Sequence, residues 1–462
     1  MDSILLFLLG VAIMVVGLAV SIGLHEIGHL VPAKLFGVKV TQYMIGFGKT
    51  LWSRTRGETE YGIKMIPLGG YIAMIGMFPP VKSGGGMRTA STGFFNTLVQ
   101  DGAGDTVPVK RGFTGSLVDD ARRASADTIG EGEDHRAFYR LPVWKRVIIM
   151  AGGPFMNLLI AVVLFAILLM GFGQAMPSTT IGSVSECALP ATSTSQACTA
   201  ADPKAPAAVA GIKPGDTLVS IDGVPITSWN QSTALIRDAS GQTLSVVVNR
   251  DGAQQTLALT PLLTERYALD AEGNVINGAD GKPELQNVGF VGIGPASELV
   301  RQPVTAVLPA VGENIAAVGN MILHLPQRLV DVANAAFSTA PRDPNGPISV
   351  VGVGRVAGEI AMINTIPVMD KVYSFIGLLA SLNVALLVFN LIPLMPLDGG
   401  HIAGALWEGI RRWFAKVFKR RDPGPVDTAK LMPITFAVVA VLGAMSLLLM
   451  YADIVKPINF FG

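Results

Sequence analysis

The chain has 462 residues, 50% of them hydrophobic, with 35 Lys+Arg against 34 Asp+Glu and a formal net charge of +1. So apolar a composition excludes an ordinary soluble domain, and the length excludes one compact unit, which leaves a polytopic membrane protein with aqueous parts. A balanced charge with no basic, aromatic-interleaved stripe excludes nucleic acid as a partner.

The first predicted element is a span over 1–31. Met1-Asp2-Ser3 is not a basic leader, and no small-residue cleavage site follows the apolar run, so the span is expected to be retained. Its segment from Ile4 to Leu24 is long enough for a bilayer of ~30 Å. It runs into His25-Glu26-Ile27-Gly28-His29. Histidines at i and i+4 share one helical face, where both imidazoles can bind one Zn²⁺, and Glu26 between them can serve as a general base. Ionisable groups at membrane depth are costly, so a functional reading is the default.

The loop 32–146 carries 16 Lys+Arg against 10 Asp+Glu. From Val38 to Ile75 it alternates apolar and polar residues around glycines, a strand pattern with turn punctuation. Exposed edges there can pair with an extended peptide, or the pattern is a plain surface hairpin. Residues 79–140, rich in Gly, Ser, Thr and charge, read as a mobile insert, with short helical pieces near 114–126. A second span is expected over 147–172, opening with A-G-G-P-F-M-N. Its small residues allow close helix approach, and Asn157 needs a partner, whether for packing or for a site.

From about 178 to 295 the chain turns soluble, with strand signals separated by Gly, Pro and Asp turns and a helix expected at 229–239. Residues 173–370 hold 10 basic and 17 acidic residues, the reverse of the flanking loops. The positive-inside rule therefore puts this region and both termini outside, and the loops 32–146 and 401–430 in the cytoplasm. Cys187 and Cys198, the two cysteines, fall in the outer region, where a disulfide is permitted. Residues 296–371 read as an outer amphipathic helix over 303–335 and a connector, with G-P-I-S-V-V-G-V-G from Gly346 as a loop or strand. A third span is expected over 372–400, broken by Pro393 and Pro396 just before Asp398. It descends from outside, so Asp398 arrives at the depth of His25 and His29. Two imidazoles and a carboxylate make the protein side of a catalytic zinc site. His401 can orient a ligand or lie at the interface. The loop 401–430 holds 7 basic residues against 3 acidic, and a last span covers 431–455.

The H-E-I-G-H of the first span, the L-D-G of the third and the Ala210–Gly223 pattern A-G-I-K-P-G-D-T-L-V-S-I-D-G between them, which resembles a PDZ domain, together resemble the site-2 protease family of intramembrane zinc metalloproteases, especially bacterial regulator-of-sigma-E proteases. The resemblance implies a polytopic α-helical membrane protein of about four transmembrane helices, with a membrane-associated β-hairpin region and one extracytoplasmic PDZ-like α+β domain. It implies one Zn²⁺ per chain on His25, His29 and Asp398, with Glu26 as general base. Asn383 and Asn390 match family asparagines that help to hold substrate, and Gly69 and Gly70 fall in the region matching the family's hairpin. The implied activity is cleavage of single-span membrane proteins, such as anti-sigma factors, within or next to their transmembrane segment after a first extracytoplasmic cut. The location implied is the cell's inner or plasma membrane, in contact with lipid. The alternative is an inactive membrane-tethered PDZ module that binds peptide ends. Intact Glu26 speaks against it, since nothing structural needs a carboxylate there.

Overall fold

The structure, a computed structural model, describes residues 2–79, 90–91, 128, 130, 132–193, 198–270, 273–278, 282–339, 342–344 and 346–458. The chain divides into two units: residues 1–168 with 303–462, and residues 169–302. The helical pieces expected near 114–126 lie outside the described residues.

The first unit opens with helix α1, Asp2–Leu35, longer than the expected span and apolar around its whole circumference until the histidines. A tight turn leads into β1, Val40–Arg56, and β2, Thr59–Met74. The two strands are long and bent. Residues 42–45 of β1 pair with 60–63 of β2 on one side and 70–73 on the other, while 52–56 pair back onto 59–63. Two strands thus make a four-ribbon sheet, and β3, Ala90–Ser91, adds a short edge against Ala73 and Met74. Tyr43, Ile72, Met74 and Val40 of this sheet bury themselves with Leu30 and Ala33 of α1 and Ile149 and Met150 of α2, Val143–Ala166.

The second unit begins where the last turns of that helix widen over Ile167–Phe172. Its sheet is built from β4, Gln174–Val184, then, after a short helix, β5, Thr217–Ile221, and β6, Val224–Pro225, and, after a second helix, β7, Leu244–Arg250, and β8, Ala253–Leu259. The helices are α3, Pro206–Val209, and α4, Trp229–Asp238, the latter capped by the Ser228 hydroxyl, which accepts from Gln231 N–H. β9, Leu262–Tyr267, and β10, Leu285–Phe290, form a separate hairpin, and β11, Ile293–Val300, returns to pair with β4. The β4–β11 pairing carries the unit beyond the expected 178–295 limits on both sides. Two hairpins turn on Asp-Gly pairs, Asp222-Gly223 and Asp251-Gly252, with positive φ at all four residues, the backbone that such two-residue turns demand. Ile181, Leu218, Val246, Val248 and Ile236 fill the core. Cys187 and Cys198 are bonded to each other at its edge.

The chain then returns to the first unit. Residues 303–335, expected as one amphipathic helix, form two: α5, Val307–Leu323, and α6, Leu325–Phe337, broken at His324. The segment from Gly346, expected as loop or strand, is corrected to helix α7, Val350–Met362, capped by Ser349. Its valines and glycines look strand-like alone, but tertiary packing overrides propensity. A Cβ at Gly10 of α1 would lie 2.4 Å from Ala357 O, so α7 packs backbone to backbone against α1 through small residues.

The third expected span also needs correction at its end. Helix α8, Val368–Asn390, stops eight residues before Asp398, and Asp398 is instead the first residue of α9, Asp398–Val417. The region expected as a cytoplasmic loop from 401 is therefore mostly helix. α10, Met432–Val455, ends the chain's regular structure. Among the described residues five helices are long and apolar enough to cross a membrane: Ser3–Leu35, Val143–Phe172, Val304–Leu323, Val368–Asn390 and Thr428–Val455. That is one more than the four expected, and the addition, 304–323, is the least apolar. With several such helices the chain is a multi-pass membrane protein.

Candidate metal centre

α2 is the organising helix of the site, because it touches α1, α8 and α9. It meets α1 at glycines. A Cβ on Gly28 would stand 2.2 Å from Gly152 O, and one on Gly152 2.0 Å from Gly28 O, so no larger residue fits at either position. A Cβ on Gly153 would lie 2.2 Å from His29 Nε2 and 2.6 Å from His25 Cε1. The glycines of A-G-G-P thus do more than pack helices, since they leave the volume the two imidazoles occupy.

His25 and His29 point the same way from α1, with their Nε2 atoms 3.2 Å apart. Asp398 Oδ2 lies 3.4 Å from the first and 3.3 Å from the second. Three ligand atoms held ~2.0–2.1 Å from one tetrahedral Zn²⁺ stand about 3.3–3.4 Å from one another, so the triangle already has the edges such an ion needs. Asp398 Oδ2 is buried without a hydrogen-bond partner among the described residues, as expected of an oxygen reserved for a cation. Among the described residues the cluster consists of these three, whereas a structural zinc takes four protein ligands; three leave a position for chemistry. Asp398 reaches this point because the link 391–397 turns the chain back, and α9 then starts with the acid in its first turn, where the helix dipole favours it. A Cβ on Gly399 would fall 2.3 Å from Ile392 O, so the residue after Asp398 must be glycine for the helix to start this close to the link.

Both imidazoles are oriented from α2. His29 Nδ1 donates to Ile149 O at 2.7 Å, which leaves the Nε2 lone pair facing Asp398's side. Nδ1 of His25 lies 3.0 Å from the side-chain amide of Asn157, which is 0% exposed. The amide's oxygen and nitrogen are interchangeable on heavy-atom positions alone, and with the oxygen accepting from Nδ1–H the Nε2 lone pair of His25 is also freed for a metal. Asn157 was legible as a polar residue in search of a partner, and the partner is His25, a candidate ligand. Ile149 was not legible, since a backbone carbonyl leaves no mark in the sequence. The His401 ring lies tilted near Phe78, with centroids 6.5 Å apart.

Glu26 is 7% exposed, and its Oε2 has no hydrogen-bond partner among the described residues. The sheet approaches it closely. A Cβ on Gly70 would lie 2.9 Å from Glu26 Cγ, and one on Gly69 2.1 Å from Phe47 Cε2. Tyr43 donates to Gly23 O of α1 at 2.8 Å and holds the sheet against this helix. The two asparagines part company. Asn383 is fully buried, its amide nitrogen donating to Ser21 Oγ at 3.0 Å and Leu379 O at 2.8 Å, which ties α8 to α1. Asn390 is the last residue of α8, partly exposed, at the entrance to the link that carries Asp398.

Residues 13–421 match the model of peptidase family M50. The chain is 32% identical over 467 residues to the zinc metalloprotease Rip1 of Mycobacterium tuberculosis, covering 99% of this chain and 100% of the relative. It is 31% identical over 469 residues to Rip1 of Mycolicibacterium smegmatis, with 99% and 100% covered. It is 27% identical over 418 residues to the metalloprotease MmpA of Caulobacter vibrioides, with 88% and 89% covered.

Proposed function

The chain belongs to peptidase family M50, the site-2 proteases, and is a zinc metalloprotease; from that premise we propose that it cleaves single-span membrane proteins, anti-sigma factors among them, within or beside their transmembrane segment. The observation that carries this reading is the triangle of His25, His29 and Asp398, closed by helices of which α1 and α2 are apolar enough to span a membrane. His25, His29 and Asp398 hold the zinc, with Ile149 O and Asn157 fixing the two rings. Bound there, zinc supplies Lewis acidity toward water and the scissile carbonyl. Glu26 takes the proton of the attacking water and returns it to the leaving amine. Burial without a partner suits a base that must accept a proton, and among the described residues nothing bonds to that oxygen, which disfavours an inactive peptide-binding module.

A helical substrate hides its peptide bonds and must unwind to be cut. The ribbon of β2 at Gly69 and Gly70 runs beside Glu26, and an extended substrate laid along it by strand addition presents its backbone to the base. Asn390 is proposed to contact such a chain, while Asn383 acts by holding α8 on α1. The second unit is proposed as an extracytoplasmic PDZ-like domain of an enzyme in the inner or plasma membrane. It passes substrates already trimmed by a first protease and excludes bulky ones.

The test uses full-length protein in proteoliposomes with single-span substrates, intact or trimmed of their outer domains. Product termini inside the apolar segment, formed by wild type and not by Glu26→Gln, are expected. Cleavage confined to soluble peptides overturns the intramembrane reading. In-frame removal of 180–295 is expected to admit untrimmed substrates, and loss of cleavage of trimmed ones instead makes the unit a recruiter.

A further inference from the structure

Helix α9 begins at Asp398 and continues for 19 residues beyond it, and from Ala405 on its residues are not among those gathered at the centre. Its two sides differ in kind. One packs on the protein through Ala405 and Glu408, which are 5% and 0% exposed. Glu408 accepts from Arg146 of α2 at 2.5 Å, pairs with Arg412 at 3.1 Å and caps Val426 N–H at 2.9 Å, so the helix is locked in rotation. The other side presents Leu406, Trp407, Ile410, Trp413, Phe414, Val417 and Phe418, all between 46% and 65% exposed. At 100° per residue these seven fall within an arc of about 140°, opposite the buried face. Arg411, Lys416, Lys419, Arg420 and Arg421 border or follow the arc, and the acids of the same stretch are already engaged: Glu408 as above and Asp422 with Arg412 at 3.5 Å.

This stripe is not a spanning surface. α9 carries Asp398, Glu408, Arg411, Arg412 and Lys416 within 20 residues, and it is not among the helices apolar enough to cross. Yet short connections tie it on both sides to helices that are: 391–397 to α8 and 418–431 to α10. A helix held at a span's end, with aromatics on one arc, a basic border and no free acid beyond Asp398 at its start, matches the surface of a bilayer in both polarity and charge.

We propose that α9 lies in the membrane interface, with Trp407, Trp413, Phe414 and Phe418 in the headgroup–acyl boundary and the basic cluster 411–421 on anionic lipid headgroups. The occupant is a bilayer surface rich in anionic phospholipid. The locked rotation means this contact sets the height of the whole helix, including its first residue.

The test uses full-length protein in lipid nanodiscs, with Trp52, Trp144 and Trp229 changed to Phe so that Trp407 and Trp413 report alone. Lipids brominated near the headgroup end of the chain should quench most of this emission and chain-end bromine less, with little quenching by aqueous iodide. Charge removal (Arg411, Lys416, Lys419, Arg420 and Arg421 to Gln) should weaken retention of phosphatidylglycerol over phosphatidylcholine by about fivefold per charge. Where the triple Phe variant fails to fold, a nitroxide on Val417→Cys, read for accessibility to oxygen against a water-soluble nickel chelate, gives the same answer. Accessibility to iodide or nickel places the stripe in water and overturns the proposal. Protection from both water and lipid quenchers shows that protein covers it, a second copy or a partner, and also overturns it. Equal retention of both lipids by wild type overturns the anionic assignment.

Discussion

Asp216 and Asp398 are both withdrawn from solvent, one in each unit, and their oxygens are treated in opposite ways. Asp216, 1% exposed, accepts from Arg250 through both oxygens at 2.7 Å and from Lys213 N–H at 2.8 Å. Asp398 faces two imidazole nitrogens with Oδ2 unpartnered. A buried carboxylate that is saturated organises its surroundings, whereas one left open is held for something that arrives later. The same contrast runs through the units. Among the described residues the second gathers its polar groups into turns, caps and the Asp216–Arg250 pair, with Arg266 Nε left open, while the first leaves open carboxylate oxygens on Glu26 and Asp398.

The strongest way to break this contrast is to remove the open carboxylate. Asp398→Ala, like His25→Ala or His29→Ala, should reduce zinc in the purified protein from one per chain to a small fraction, measured by plasma mass spectrometry, because each deletes one of three ligands. Asp216→Asn should leave zinc unchanged. Full metal content in Asp398→Ala removes that residue from the centre. Next in size, Glu26→Gln should keep zinc and fold but lower proteolysis by ~10²–10⁴-fold, since an amide cannot accept the proton. Turnover at the wild-type rate sinks the general-base role.

A smaller effect sharpens the reading of Asn157. Loss of a group that orients a ligand histidine costs ~10–100-fold in metal affinity, so Asn157→Leu should bind zinc that much more weakly. Asn157→Asp can only accept from His25 Nδ1–H, so it should retain most of the affinity if the amide oxygen is the working atom. Equal losses in both variants, measured by competition with a chelator, show that the amide's other orientation or simple packing matters.

The first unit was legible where chemistry is written in side chains. H-E-I-G-H and the acid of L-D-G pointed to the centre, and hydropathy gave the helix that carries the histidines but not the one that carries Asp398. What stayed hidden depends on the meeting of distant backbones: Ile149 O beside His29, Gly152 against Gly28, and Gly70 beside Glu26. The prolines at 393 and 396 signal a break before Asp398, but an apolar run gives no sign that the span already ends at Asn390 and that Asp398 starts a new helix. The stretch after Gly346 was misread because its valines favour strands until α1 offers a small-residue face to pack on. In the second unit the Asp-Gly turns fixed the hairpins locally, so more of it could be read in advance.

The smallest expected effect concerns the saturated carboxylate. The Arg250 guanidinium, reinforced by the Lys213 N–H, holds Asp216 below the ordinary aspartate value. A group whose folded value is depressed contributes stability that is complete above its unfolded value, ~3.9, and is lost as pH falls through the folded one. Amide exchange in β5 and β7, which Asp216 and Arg250 flank, should therefore be insensitive to this group above about pH 4 and lose protection below it. Asp216→Asn should lower protection in these strands at neutral pH and flatten its acid dependence, while the sheet of the first unit keeps its exchange rates. An unchanged acid profile in the variant assigns the loss to other groups, and then Asp216 is saturated without being stabilising.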